Sequence, residues 1–369
     1  MQSPAIAVFE PHRREVFPVK RIWMLLACVV AVAGLAVGTG IASADPGHGH
    51  GGGKHGHGKH SPAATQVYTL DGDHGNPEGV AFDRRSRSFF VSSAGDGTIW
   101  RGKLGDTATP VPVFIPGSAG NGATGMKVFK GRLYVSGAGT GTIKIYDVRT
   151  GTLLATFDTK GGSSDPTFIN DLIVTRQGDV FATDSFRPAI YHLSAAEIRT
   201  GTPAPKPINP ADVINTGPEI PFDATAGTFN LNGIVDLGGS HKKHRIDVVD
   251  TKTGRLFQVQ VRRGDNASRK ITEVSVKGGP FPGGDGMLID RGRLIVVQGS
   301  NSSVPGGSNG VVNFIKLRHH GLRGKLDQQR TDATLRGPST IARAFKQYLV
   351  VNADFAQSRT PFTVSALAR

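Results

Sequence analysis

Six stretches of this 369-residue chain repeat one short pattern: an oxygen-bearing residue, a small or polar residue, then an apolar run. They begin at Glu78-Gly79, Thr124-Gly125, Asn170-Asp171, Asn232-Gly233, Asp285-Gly286 and Ser339-Thr340, with steps of 46, 46, 62, 53 and 54 residues. A period of that size, with several strands per unit, is the signature of β-propeller blades. The first strand of each blade lines the central channel. The first position of the pattern therefore predicts a ring of six side chains drawn from far apart in the sequence.

The repeats do not reach the N-terminus. Arg13, Arg14, Lys20 and Arg21 precede an apolar stretch from Ile22 to Ile41, and Ala42-Ser43-Ala44 fits a signal cleavage site. Residues 1–44 are read as a cleaved export signal with no membrane span in the mature chain, which implies a secreted or extracytoplasmic protein. The twin arginine is poorly matched downstream, so general secretion is the expectation. The single cysteine, Cys28, lies in the signal, leaving the exported chain without thiol or disulfide.

Residues 45–64 are Gly, His and Lys with little that could enter a core, and read as a disordered linker. His48, His50, His55, His57 and His60 could chelate Cu²⁺, Ni²⁺ or Zn²⁺, but a soluble spacer is the simpler reading. Residues 1–44 hold four basic and two acidic side chains, so the exported part keeps twelve of the fourteen net positive charges. The basic residues are dispersed and lack interleaved aromatics, which argues against nucleic acid and leaves contact with acidic envelope polymers open.

Within residues 65–369, runs of β-branched and aromatic residues between Gly-rich turns give four strands for most repeats. The last repeat supplies only three, at Thr340–Ala344, Gln347–Asn352 and Phe362–Ala366, while a spare strand, Gln66–Leu70, precedes the first. Pairing the spare strand with the last repeat would protect both edges. The expectation is an all-β, six-bladed propeller closed by its N-terminal strand. In repeat five the outer strand is expected near Ala333. Residues 194–222 form a proline-rich excursion with one helical turn near Ser194–Ile198, and the Gly299–Gly310 loop is a candidate lid.

The ring residues Glu78, Thr124, Asn170, Asn232, Asp285 and Ser339 are hard oxygen donors without His or Cys. Two carboxylates with the amides of Asn170 and Asn232 suit Ca²⁺, with Mg²⁺ or Mn²⁺ as alternatives. The strand directions place Asp184 and Arg187 on the rim of the same mouth. His241 and His244 fall on the opposite side, where surface histidines are the default.

Asn76-Pro77-Glu78-Gly79, Asn170-Asp171-Leu172, Asn232-Gly233-Ile234 and Asp285-Gly286-Met287 resemble the senescence marker protein/gluconolactonase family, the regucalcin-like propellers. The resemblance implies Glu78, Asn232 and Asp285 as metal ligands and Asn170 as ligand or substrate contact. It further implies hydrolysis of a lactone or ester at a metal-polarised carbonyl, with Asp285 as general base. Thr124, Ser339, Asp184 and Arg187 are candidate substrate contacts. Phe168 stands where some sugar lactonases of the family carry Arg, which points away from an aldonolactone toward an apolar or bulkier ester. The alternative is a non-catalytic extracytoplasmic propeller that binds an envelope, protein or redox-metal partner.

Overall fold

The computed structural model describes residues 64–369 apart from His241; the segment read as an export signal and nearly all of the His/Gly tract lie outside the described residues. No helix among the described residues is long and apolar enough to cross a membrane. The described residues form a β-propeller of 25 strands with almost no helix. Successive strands pair antiparallel into four-stranded meanders, with the innermost strands at Pro77–Asp83, Met126–Phe129, Ile169–Val174, Leu231–Ser240, Gly284–Asp290 and Pro338–Ala344. Each innermost strand lies beside the next, and the last lies beside the first.

Hydrogen bonding groups these strands into five sheets, because one sheet has eight strands. It consists of two meanders joined where Ser275–Lys277 pairs parallel with Arg323–Lys325. The N-terminal strand Gln66–Thr69 pairs antiparallel with the C-terminal strand Thr363–Ala368, placing Val67 opposite Ser365. That pairing satisfies two backbone edges that would otherwise be open.

Apolar side chains fill the spaces between meanders. One cluster combines Phe90 and Ile99 with Leu133 and Val135; the next combines Tyr134 and Ile143 with Leu172 and Val180. The series continues until Tyr68, Phe89 and Trp100 meet Leu349, Val351 and Val364, which joins the first meander to the last. Second and third strands are covered on both faces, so Ser88–Ser93, Val180–Asp184 and Ala189–Leu193 are buried at every position. Burial of such surfaces is the main favourable contribution to folding.

The outer strands depart most from the expected boundaries. The fifth meander closes with Arg323–Arg330, not a strand near Ala333. This solvent-facing strand is polar at nearly every position, so its apolar alternation is faint. The proline-rich excursion contains a short helix, Ala195–Thr200, with a Ser194/Glu197 capping box, and an outer strand at Val213–Asn215. Its Pro205–Pro207 segment pairs parallel with the edge of the preceding meander. The Gly299–Gly310 loop is internally bonded, with Asn301 N–H donating to the Gly307 carbonyl at 2.7 Å.

Candidate metal centre

The repeated pattern is a β-bulge. Five innermost strands lose register over the pattern positions, between Pro77 and Val80, Ile169 and Leu172, Leu231 and Ile234, Gly284 and Met287, and Pro338 and Ile341. A bulge bends the strand and re-aims a side chain. The second pattern position is small because neighbouring inner strands nearly touch. A Cβ on Gly79 would lie 2.1 Å from the Thr124 carbonyl oxygen, and one on Gly233 would lie 2.1 Å from that of Asp285. Where the pattern carries Asp171 or Thr340 instead, the glycine of the preceding repeat makes room: Gly125 abuts Asp171 and Gly286 abuts Thr340.

Hydroxyl groups hold this circle together. Thr124 Oγ1 donates to the Ile169 carbonyl at 2.7 Å, and Ser339 Oγ donates to the Glu78 carbonyl, also at 2.7 Å. Ser92 and Thr183 donate to the carbonyls of Thr124 and Asn232 in the same way. Thr124 and Ser339, expected as substrate contacts, are fully buried and spend their hydroxyls on neighbouring strands.

Asp184 and Arg187 also have internal partners. Asp184 accepts from the N–H groups of Phe168 and Phe186, both at 2.9 Å, and from Thr167 and Tyr191. The Arg187 guanidinium donates to the carbonyls of Pro166 and Asp165 at 3.0 and 2.7 Å. Both side chains are thus engaged within the protein, and Asp184 is fully buried.

The remaining ring residues differ. Glu78 Oε2, Asn170 Oδ1, Asn232 Oδ1 and Asp285 Oδ1 are each buried without a hydrogen-bond partner. Asn170 shows how such an oxygen is aimed. Ser185 Oγ donates to the Leu231 carbonyl at 2.5 Å and accepts from Asn170 Nδ2 at 2.9 Å. That order fixes the amide orientation and leaves Oδ1 free. Leaving a buried acceptor unpaired costs about 1–3 kcal/mol, and four from separate repeats imply an external partner.

Charge gives the same indication. Burial, reinforced by the negative charges of Asp285 and Asp171, pushes the Glu78 carboxyl well above its ordinary range, with Lys127 opposing. Burial and Asp171 push Asp285 up to about 8, against hydrogen bonds from Asn232 and Gly286. Asp171 is buried and held by Lys127, whose Nζ lies 3.3 Å from Oδ1. Asp171 is thus a third carboxylate of the ring, one that the first position of the repeated pattern does not single out. The available signal was an acid at the second pattern position, where four other repeats carry Gly. With all three acids ionised, Lys127 leaves a charge of −2, which one divalent cation balances. All-oxygen donors and that charge fit a hard cation.

Three phenylalanines cluster at Phe168, two residues before Asn170. Phe168 packs against Phe186 and Phe229 with ring centroids 5.5 and 4.9 Å apart, and Phe186 lies 5.1 Å from Phe229. Phe186 and Phe229 are half-buried, so part of this aromatic cluster faces solvent.

Several solved propellers share this architecture. A gluconolactonase from Xanthomonas campestris matches with a TM-score of 0.52 and 18% identity, over 83% of this chain and 90% of that one. Regucalcin from Agrobacterium tumefaciens, a calcium-binding protein, matches at 0.53 and 14% identity, over 83% and 95% of the two chains. A luciferin-regenerating enzyme matches at 0.53 and 14%, over 83% and 96%. The fold is that of the gluconolactonase and regucalcin propellers. These structural neighbours are of the family that the sequence motifs resemble, and at such identities the likeness is one of fold. No family model matches the chain, and no curated protein matches it.

Proposed function

We propose that this is an exported, six-bladed, divalent-metal-binding propeller that hydrolyses a lactone or ester, with Ca²⁺ as its ion. The count of six treats the two halves of the eight-stranded sheet as separate blades. The observation that carries the reading is the set of four buried, unpartnered oxygens on Glu78, Asn170, Asn232 and Asp285. The calcium binding and gluconolactonase activity named for the structural neighbours are in keeping with it.

Glu78, Asn232 and Asp285 would hold the ion, with Asn170 as a further ligand or a contact to the substrate. When bound, the ion supplies Lewis-acid polarisation of the acyl carbonyl. Asp285 would take the proton of the attacking water, as a carboxylate poised near working pH can. Asp171, tied to Lys127, keeps the site electronegative. Phe168, Phe186 and Phe229 favour an apolar acyl or alcohol portion over a polyhydroxylated sugar lactone.

The test is turnover of a panel of aliphatic, aryl and sugar lactones and esters, with Ca²⁺ and after chelation. Ca²⁺-dependent hydrolysis of the apolar members, lost in Asp285→Asn, supports the proposal. Stoichiometric Ca²⁺ binding without turnover of any member would leave the ion a structural tie between blades and favour the non-catalytic reading.

A further inference from the structure

A second cluster of metal-ligating groups lies at the opposite mouth. Asp179, His192 and His244 each present one ligand atom within 4.8 Å of the other two, and all three are buried. The sequence placed His244 on the surface by default; the structure buries it to 3% exposure, while His241 lies outside the described residues. Strand register separates this cluster from the oxygen ring. Ile169, beside Asn170, pairs with Asp184 at one end of the third meander, whereas Val174 pairs with Val180, beside Asp179, at the other. Five residues of strand put the ends about 15 Å apart.

The geometry points to a transition-metal site in which Asp179, His192 and His244 bind one Zn²⁺ or similar divalent ion, distinct from the oxygen ring. His192 is the deciding residue. It is 7% exposed, its Nδ1 lies 3.1 Å from Asn266 Oδ1, and its Nε2 has no partner. Because Asn266 Nδ2 donates to the Ala211 carbonyl and to Asp212, its Oδ1 faces the ring and accepts. Nδ1 therefore carries the proton and Nε2 keeps its lone pair. An outer carbonyl that fixes the tautomer is the usual support of a metal-bound histidine.

Asp179 is oriented in a similar way: its Oδ1 accepts from Ala195 N–H at 2.9 Å, and Oδ2 lies 3.5 Å from His244 Nε2. Ligand atoms around tetrahedral zinc sit about 3.4 Å apart, so the Asp179–His244 pair already has the spacing and small side-chain rotations would bring in His192. Two imidazoles and one carboxylate suit Zn²⁺, Co²⁺ or Ni²⁺ and poorly suit Ca²⁺. His244 also lines a cavity of about 610 Å³, which offers an entry path. Arg263, on the wall of that cavity, pairs with Asp179 Oδ2 at 3.1 Å and competes with an incoming ion.

The experiment uses the full-length chain with His48, His50, His55, His57 and His60 changed to Gln, so that the tract cannot report. Titration with Zn²⁺ and Co²⁺ should show one tight equivalent, with visible ligand-field absorption for Co²⁺, in the presence of excess Ca²⁺. His192→Phe should lower the affinity at least tenfold and abolish the Co²⁺ spectrum; retention of both overturns the proposal. Arg263→Gln, which leaves every ligand in place, should tighten binding several-fold. Unchanged or weaker binding in that variant, or no stoichiometric Co²⁺ binding in the parent, would show that the three groups form only a hydrogen-bonded cluster.

Discussion

Lys127 Nζ lies 3.3 Å from Asp171 Oδ1, so this channel acid has a cationic partner from the neighbouring inner strand, whereas the free oxygens of Glu78 and Asp285 have none. The asymmetry separates the acid that is paired within the protein from those available to an ion. It also makes the ion-free ring a source of instability at neutral pH.

Stability without metal should fall as pH rises. Glu78 and Asp285 have folded-state pKa values above their ordinary values of 4.5 and 3.8, with Asp285 at about 8. The unfolded chain therefore releases these protons first, and their contribution to stability is complete below pH ~4 and is lost as pH climbs toward 8. The melting temperature of chelated protein should drop by about 5 °C over that window, and Ca²⁺ should remove most of the drop. Scanning fluorimetry at constant ionic strength measures both; a flat profile without metal would contradict the ring electrostatics.

Asp285→Asn should move stability and ion binding in opposite directions. It removes a buried negative charge near Asp171 and Glu78, so the ion-free protein should become more stable at pH 8. Ca²⁺ affinity should fall about 10- to 100-fold, as expected when a hard ion loses a charged ligand. Calorimetric titration beside thermal melts reads the two effects separately.

Gly233→Ala tests the close approach of the inner strands. Its Cβ would meet the Asp285 carbonyl oxygen at 2.1 Å, whereas a Cβ on Gly139 meets nothing closer than 4.0 Å. The first substitution should cost about 3 kcal/mol in urea denaturation and weaken ion binding, and the second should cost under about 1 kcal/mol.

The phenylalanine cluster should set substrate preference. Phe168→Ala opens its contacts with Phe186 and Phe229 and should lower kcat/KM for apolar esters about tenfold, with little effect on small polar lactones. An equal loss across the panel would make Phe168 a packing residue only.

Acid should act on a different carboxylate. Burial alone would raise the pKa of Asp290, but hydrogen bonds from Arg369, Tyr348 and Arg343 together hold it down at about 2. This contribution is present above the ordinary value of 3.8 and is lost as pH falls toward 2. Arg369→Ala, which removes two 2.6 Å contacts, should destabilise the fold at neutral pH and do so much less at pH 2. Urea melts at both pH values compare the two.

The strand pattern and its period are local properties, so the sequence alone specified the repeated meanders and the oxygen-bearing residues at the start of each inner strand. It also specified closure, through a spare strand at one end and a missing one at the other. Polar outer strands such as Arg323–Arg330 were illegible because solvent imposes no alternation on them.

Only the tertiary structure decided which oxygens remain free. Thr124 and Asn170 occupy equivalent pattern positions, yet one hydroxyl is spent on Ile169 while one amide oxygen is left for an ion. The role of Asp171 and the meeting of Asp179, His192 and His244 were likewise settled by neighbouring strands. The physical reason is that a side chain's partners belong to the adjacent blade. Their register depends on packing between segments tens of residues apart, which no local pattern encodes.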